Sequence, residues 1–148
     1  MVLAKSYRCH VTSRQLGELI WELTDIANIS FDYIVPIPLH WRRFASRGYN
    51  QTAEMAQVIA QKSNTPLIHA LKRINNRPFQ SHVTPEKRHE NVCGAFKLRE
   101  HCKEQLAGKH VLIVDDLFTT GATMKSAARE IVRARPDQIT AVVACRTG

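Results

Sequence analysis

The sequence predicts an α/β fold in which helices flank a mostly parallel sheet. Residues 111–114 are an uninterrupted apolar run inside a strand at residues 110–115, as expected for a parallel strand covered on both faces. A helical segment at residues 123–133 and a second buried strand at residues 138–145 follow it. Strand, helix and strand in this order predict a parallel pair joined by a right-handed crossover.

The preceding region contributes two helices and a strand. Apolar side chains in residues 15–29 recur at three- and four-residue steps, which predicts an amphipathic helix. A short β-branched strand at residues 33–35 leaves the sheet at two closely spaced prolines. A second helix extends from Asn50 or Thr52 to Lys62, because either polar residue can cap its first turn.

Between the second helix and the long apolar strand, the pattern is less regular. Residues 67–74 contain a strand, and residues 95–98 form another short one. The segment between them, residues 75–91, is polar, basic and interrupted by proline, which predicts a long mobile loop. The whole of residues 1–148 is expected to form one domain, with its sheet core within residues 31–147.

Composition excludes several classes of protein. With 44% hydrophobic and 23% charged residues, the chain is neither disordered nor fibrous. No apolar stretch approaches the roughly 18 residues that a membrane span needs, and the N-terminal residues lack the apolar core of a secretory signal. We therefore expect a cytoplasmic protein without membrane insertion.

The cysteines predict ordinary reduced thiols. They are Cys9, Cys93, Cys102 and Cys145, and no two form a CxxC pair. Two of them have a histidine neighbour and could together supply four zinc ligands. Structural zinc sites usually space paired ligands two to four residues apart, whereas these lie side by side. The prediction is that this chain binds no zinc.

The charge predicts an anionic partner. Lysines and arginines number 21 and acidic residues 13, which leaves a net charge of +8. Arg42, Arg43 and Arg47 alternate with three aromatic residues, a combination that single-stranded nucleic acid binders use to neutralise phosphates and stack bases. A solvated basic surface with partly buried aromatic rings would give the same pattern, so both interpretations stay open.

The most informative segment is residues 111–123. Its apolar strand ends at two adjacent carboxylates, Asp115 and Asp116, at the edge of a parallel sheet where ligands bind. A turn that opens the next helix follows, and its backbone N–H groups and hydroxyls suit a phosphate. The turn consists of Thr119, Thr120, Gly121, Ala122 and Thr123. Carboxylates accept hydrogen bonds from a diol or hold a divalent cation through its waters, so the segment predicts a ribose 5-phosphate site.

This segment resembles the phosphoribosyl pyrophosphate (PRPP) binding motif of type I phosphoribosyltransferases. That resemblance implies that Asp115 and Asp116 contact the ribose hydroxyls and that the turn at residues 119–123 holds the 5-phosphate. It also implies a type I phosphoribosyltransferase-like fold, and Mg²⁺ bound with PRPP between pyrophosphate and ribose hydroxyls. If the protein is catalytic, the two aspartates would position the sugar while pyrophosphate leaves.

Further blocks resemble the ComF (competence protein F) family, which includes the GntX-like proteins. They lie at residues 35–51, 80–96 and 145–147, nearly the whole length and in the family's order. Members of that family usually begin with a cysteine-rich, zinc-finger-like segment, which this sequence does not contain. Either a truncated chain or a short family member would account for the difference.

The same resemblance implies roles for two more segments. By position, the pyrophosphate loop is Pro36, Ile37, Pro38, Leu39 and His40. Its prolines remove N–H donors, so the nearby arginines of residues 42–47 could supply positive charge, or could simply form the turn into the next helix. Residues 77–88 occupy the place of a mobile catalytic hood that would exclude water, with Arg88 as the candidate catalytic cation or an ordinary surface charge.

Two functions follow from the resemblance. ComF membership implies a PRPP-fold module acting in DNA uptake and natural transformation, with single-stranded DNA or competence proteins as partners. The alternative is a metabolic phosphoribosyltransferase that transfers ribose 5-phosphate from PRPP to a nucleobase or an amine. Basic charge favours the first function, and the intact pair of aspartates favours the second. Whether the protein is an enzyme stays open at this point.

Overall fold

The computed structural model describes residues 2–39, 49–74 and 94–146, with side chains from residue 11 onward. The elements in chain order are α1 (Val2–Leu23), β1 (Tyr33–Pro36), α2 (Gln51–Ser63), β2 (Leu71–Arg73), β3 (Phe96–Leu98), α3 (Lys103–Leu106), β4 (His110–Phe118), α4 (Ala122–Val132) and β5 (Gln138–Arg146). Short 3₁₀ turns lie at Asp25–Asn28 and Glu100–Cys102. None of the helices in these residues has the length and apolar character that crossing a membrane requires.

The main sheet is parallel and has the order β1-β4-β5. Ile34 of β1 aligns with Leu112 of β4, which aligns with Thr140 of β5. A parallel bridge from Ile34 to Leu67 adds one more contact beyond β1. The predicted parallel pairing of the strands around residues 111–115 and 139–145 is therefore confirmed, and α4 connects them.

Apolar side chains cover both faces of this sheet. On one face, Ile20 of α1 and Met55 and Ile59 of α2 pack with Ile34 and Leu112. The other face carries a cluster from β1, β4, α4 and the antiparallel β2–β3 pair, whose members include Val35, Phe96, Ile113, Ala127 and Ile131. Because β4 lies between the two layers, all four residues from 111 to 114 are completely buried.

Helix α1 differs from its prediction in extent and in the face it buries. It begins at Val2 and ends at Leu23, whereas the apolar pattern predicted residues 15–29. Leu19 is 47% exposed and Leu23 77% exposed, although both belong to the predicted apolar face. The buried side instead contains Gly17, because α1 packs closely on α2 there. Periodicity identifies an apolar stripe, but the neighbouring helix decides which side is covered.

Strand β5 also differs from the prediction of a buried strand. Within the described residues it is the last strand of the main sheet. Val142 is the only residue of this strand that is buried. Its apolar and β-branched residues suit a pleated, half-buried surface, which the last strand of a sheet offers as well as a central one. Strand β4 is longer than predicted and ends at Phe118, and α4 begins at Ala122.

We predict that Gly17→Ala destabilises the protein, although alanine normally favours a helix. A Cβ at this position would lie 2.9 Å from the Met55 carbonyl oxygen and 3.0 Å from Val58 Cβ, so the two helices would have to separate. The expected loss is about 1–2 kcal/mol in the free energy of unfolding, measured by urea denaturation. The exposed neighbouring substitution Glu18→Ala should change it little; an equally stable Gly17→Ala protein would contradict the close packing.

Candidate functional site

The carboxyl end of β4 places two acidic residues inside the strand ladder. Asp115 aligns with Val143 of β5 and is only 6% exposed, whereas Asp116 is half-buried. Pairing between β4 and β5 continues beyond them to Phe118 and Arg146. The acidic pair is thus held by backbone pairing on both sides of it along the strand, so its position is fixed before any ligand arrives.

Burial changes the ionisation of Asp115. Loss of hydration, followed by the nearby Asp116 carboxylate, raises the pKa of Asp115 from its ordinary 3.8 to about 7. The Asp116 N–H, which donates to Asp115 Oδ1 at 2.9 Å, acts in the opposite direction, as does the positive charge of Arg73. Asp115 therefore keeps its proton up to near-neutral pH, and a cation beside it would favour loss of that proton.

The turn after β4 is shaped around Gly121. This residue has a φ of +73°, a left-handed conformation that favours glycine, and it precedes the first residue of α4. The Phe118 ring lies against it, with Cζ only 2.7 Å from the position a Cβ would occupy. Ala122 N–H donates to Thr120 Oγ1 at 3.4 Å, which keeps the turn compact. The turn therefore presents the first N–H groups of an eleven-residue helix beside the aspartates.

A shallow pocket lies where the acidic pair meets the turn. Its lining residues are Asp115, Leu117, Phe118, Thr119, Gly121, Ala122, Thr123 and Met124. Five of the seven predicted sugar-phosphate residues line this pocket, namely Asp115, Thr119, Gly121, Ala122 and Thr123. Asp116 is not among the lining residues, although its N–H donates to Asp115 Oδ1. Thr120 stands beside them as the acceptor for Ala122. The arrangement can accept an anion at the helix end and hydroxyl groups at the carboxylates.

Two arginines lie near the site, and the sequence did not predict this position for either of them. The Arg146 guanidinium lies over the Phe118 ring, 5.7 Å from its centroid. Arg73, at the end of β2, lies over Phe96 at 5.3 Å, and its charge acts on Asp115. The strand alignment would have placed residue 146 beside residue 118, but no sequence pattern connects Arg73 with Asp115.

The structure describes the first four residues of the predicted pyrophosphate loop. Pro36 is the last residue of β1 and is completely buried, and Ile37 N–H donates to the Val114 carbonyl at 3.0 Å. The Asn50 side chain donates to the Ile37 carbonyl at 3.3 Å. Pro36 and Ile37 therefore belong to the sheet, because Ile37 continues the hydrogen bonding of β1 with β4. Pro38 and Leu39 are half-exposed beyond it.

Several predicted residues lie outside the described ranges. These are His40, Arg42, Arg43, Arg47 and Arg88. The loop predicted at residues 75–91 lies outside them as well. Their roles stay predictions.

The described side chains also bear on metal binding. Among them, no group of three or more histidine, cysteine, aspartate or glutamate residues is arranged to hold a metal ion. Cys102 is buried and Cys145 exposed, and both are free thiols. A cation at the acidic pair would therefore take its remaining ligands from water and from a bound molecule.

Comparison with known proteins now identifies the fold family. The profile of the phosphoribosyl transferase domain matches residues 12–148. The chain belongs to this family. The glutamine PRPP amidotransferase of Bacillus subtilis, solved in complex with ADP and GMP, has a TM-score of 0.63 at 15% identity, covering 91% of this chain and 26% of that one. Its similarity supports the type I phosphoribosyltransferase-like fold.

Two curated relatives confirm the resemblance to ComF proteins. Competence protein ComFC of Bacillus subtilis is 38% identical over 96 residues, which are 65% of this chain and 36% of the relative. The DNA utilization protein YhgH of Salmonella typhi is 31% identical over 117 residues, 78% of this chain and 50% of the relative. The chain thus spans a half or less of the length of these relatives.

We predict that Asp115→Asn removes a pH dependence of stability. Because the folded-state pKa is about 7 against 3.8 ordinarily, native Asp115 keeps a proton that the unfolded chain releases. The free energy of unfolding of the natural protein should therefore fall as pH rises from about 4 to about 7. Asparagine still accepts from the Asp116 N–H, so the variant should be more stable at about pH 8, by up to roughly 4 kcal/mol.

A second aspartate provides the control for this experiment. The His110 N–H, at 2.8 Å, holds the pKa of Asp32 below its usual value, and Lys109 contributes as well. Asp32 therefore stabilises the folded state above its ordinary pKa and loses that effect in acid, the opposite sign. Urea denaturation of Asp115→Asn, Asp32→Asn and the natural protein from about pH 2 to about pH 8 measures both effects. If the free energy of unfolding changed with pH in the same way in Asp115→Asn and in the natural protein, the prediction that Asp115 keeps a proton in the folded state would be contradicted.

We also predict that Gly121→Ala costs more stability than Gly108→Ala. Both glycines have positive φ, +73° and +65°, so both substitutions strain the backbone. Only Gly121 meets a ring, whereas a Cβ at Gly108 has nothing closer than Asp137 at 4.0 Å. The expected losses in unfolding free energy are about 2–4 kcal/mol and about 1 kcal/mol, respectively. Equal losses would mean that the Phe118 ring moves aside freely.

Proposed function

We propose that this chain is a phosphoribosyltransferase-fold module that binds PRPP or a related sugar phosphate and acts in DNA uptake and natural transformation. The observation that carries the proposal is the buried Asp115, next to Asp116 and to a glycine turn that opens α4. Family membership and the names of the relatives, a competence protein and a DNA utilization protein, support it.

Each part of the site matches one part of a ribose 5-phosphate. The N–H groups of residues 119–123 suit the 5-phosphate, because a helix N-terminus carries partial positive charge. Asp115 and Asp116 suit the ribose hydroxyls, which can donate to a carboxylate. Burial of Asp115 strengthens such hydrogen bonds, since water competes weakly at a site that is only 6% exposed.

The acidic pair also fits Mg²⁺. Two adjacent carboxylates, one of them buried with a raised pKa, gain from a neighbouring cation that replaces the shared proton. Magnesium binds through one or two carboxylates and keeps most of its waters. When bound with PRPP, Mg²⁺ neutralises pyrophosphate charge. In this proposal Asp115 and Asp116 hold it through its waters and through the ribose hydroxyls.

The partners in DNA uptake are single-stranded DNA or competence proteins. A net charge of +8 favours a polyanion. Arg42, Arg43 and Arg47 remain the sequence candidates for this contact, and Arg88 the candidate catalytic cation. A cytoplasmic location and a single domain over residues 1–148 are further parts of the proposal.

The second candidate function is a metabolic phosphoribosyltransferase that uses a nucleobase or amine as acceptor. The intact pair of aspartates favours this function. A buried carboxylate destabilises a protein unless a partner compensates it, and a bound substrate would be such a partner. In that case Asp115 and Asp116 would stabilise the positive charge that develops on the ribose ring as pyrophosphate leaves.

The first experiment is calorimetry of PRPP binding, with and without Mg²⁺. We predict Mg²⁺-dependent binding that strengthens about tenfold from pH 6 to pH 8, because the proton on Asp115 must leave as a cation arrives. The double substitution Asp115→Asn and Asp116→Asn should abolish binding. The matched control is Asp25→Asn with Asp137→Asn, two exposed aspartates elsewhere in the chain. No binding by the folded natural protein would overturn the sugar phosphate site.

Release of pyrophosphate from PRPP separates the two candidate functions. Turnover with a purine, a pyrimidine or an amine acceptor, lost in Asp116→Asn, would establish an enzyme. Binding of PRPP without turnover for any of these acceptors would leave the binding module as the function that fits.

A further inference from the structure

The exposed end of β5 carries a cation held in one orientation. Arg146 aligns with Phe118 across the β4–β5 ladder, and its guanidinium lies over the ring at 5.7 Å from the centroid. The ladder brings the two side chains to the same face of the sheet. Attraction between a cation and the face of an aromatic ring then favours the stacked arrangement.

The ring beneath this guanidinium is itself fixed. Phe118 Cζ and Cε2 lie 2.7 and 2.9 Å from where a Gly121 Cβ would be, so the ring rests directly on the turn. The Phe118 ring therefore contacts both the turn at Gly121 and the guanidinium of Arg146. Phe118 lines the pocket, whereas Arg146 is exposed beside it and is not among the lining residues.

We propose that the outer face of Arg146 is a stacking surface for an unpaired base of single-stranded DNA. A planar guanidinium supported on one side by a ring can stack a base on the other, and such stacking does not depend on base identity. The turn proposed to bind phosphate contacts the same ring at Gly121, so one surface would offer both contacts that a nucleotide strand needs. This inference rests on the proposed role in DNA uptake and assigns that role a place on the fold.

The test separates stacking from charge. Fluorescence anisotropy measures binding of a labelled single strand of about 20 nucleotides and of an abasic strand of the same length. Arg146→Lys keeps the positive charge but removes the planar guanidinium on which a base could stack. It should therefore weaken binding of the normal strand about 5- to 10-fold and leave binding of the abasic strand unchanged. Arg14→Lys, at an exposed arginine on α1, is the matched control and should alter neither.

A second variant tests whether the Phe118 ring supports the guanidinium. Phe118→Leu removes the ring under the guanidinium, so it should also weaken binding of the normal strand relative to the abasic one. Thermal unfolding of each variant verifies folding. Equal affinities for both strands in the natural protein, or a normal strand bound as tightly by Arg146→Lys as by the natural protein, would overturn the stacking surface.

Failure of this inference is distinguishable from failure of the sugar phosphate site. Arg146→Lys should bind PRPP with unchanged affinity in calorimetry, since Arg146 lies outside the pocket lining. A natural protein that binds PRPP but no single strand overturns the stacking surface alone. One that binds the single strand through Arg146 but no PRPP overturns the sugar phosphate site alone.

Discussion

The burial of one carboxylate at the end of an apolar strand is the constraint on which the rest of this site depends. Residues 111–114 are completely buried between the two layers that cover the sheet, and Asp115, the next residue, is buried as well. A group in that position must keep a proton or gain positive or hydrogen-bonding partners. The site supplies the Asp116 N–H and the charge of Arg73, and its raised pKa shows that these do not offset burial fully. The proposed ligand, with its hydroxyl groups or a cation, would complete the compensation.

The turn after the strand solves a packing problem as well as a binding one. Phe118 is the last residue of the β4–β5 ladder, and its ring lies against the turn at Gly121. Gly121 leaves room for the ring and adopts the positive φ that opens α4. The helix N-terminus is thereby held close to the carboxylates. Rigidity of this kind favours binding, since little conformational freedom remains to be lost when a phosphate arrives.

The carboxyl end of strand β1 has few free backbone donors. Pro36 has no N–H, and Ile37 uses its own to bond Val114. The edge of β1 is therefore committed to the sheet, and negative charge on a ligand there would need cations from elsewhere. Arg73 is one such cation within the described residues, since its charge already acts on Asp115.

The sequence by itself determined the parallel strands, the helix between them and the segment with both aspartates and the turn, because apolar runs, paired acids and glycine-rich turns are local patterns. It did not determine that β5 is the last strand of the main sheet among the described residues, that Leu23 is exposed, or that the Ile37 N–H bonds to Val114. Those outcomes depend on which elements become neighbours, as do the effect of Arg73 on Asp115 and the stacking of Arg146 on Phe118. Local preference is a property of a segment, whereas burial and electrostatic coupling are properties of the assembled fold.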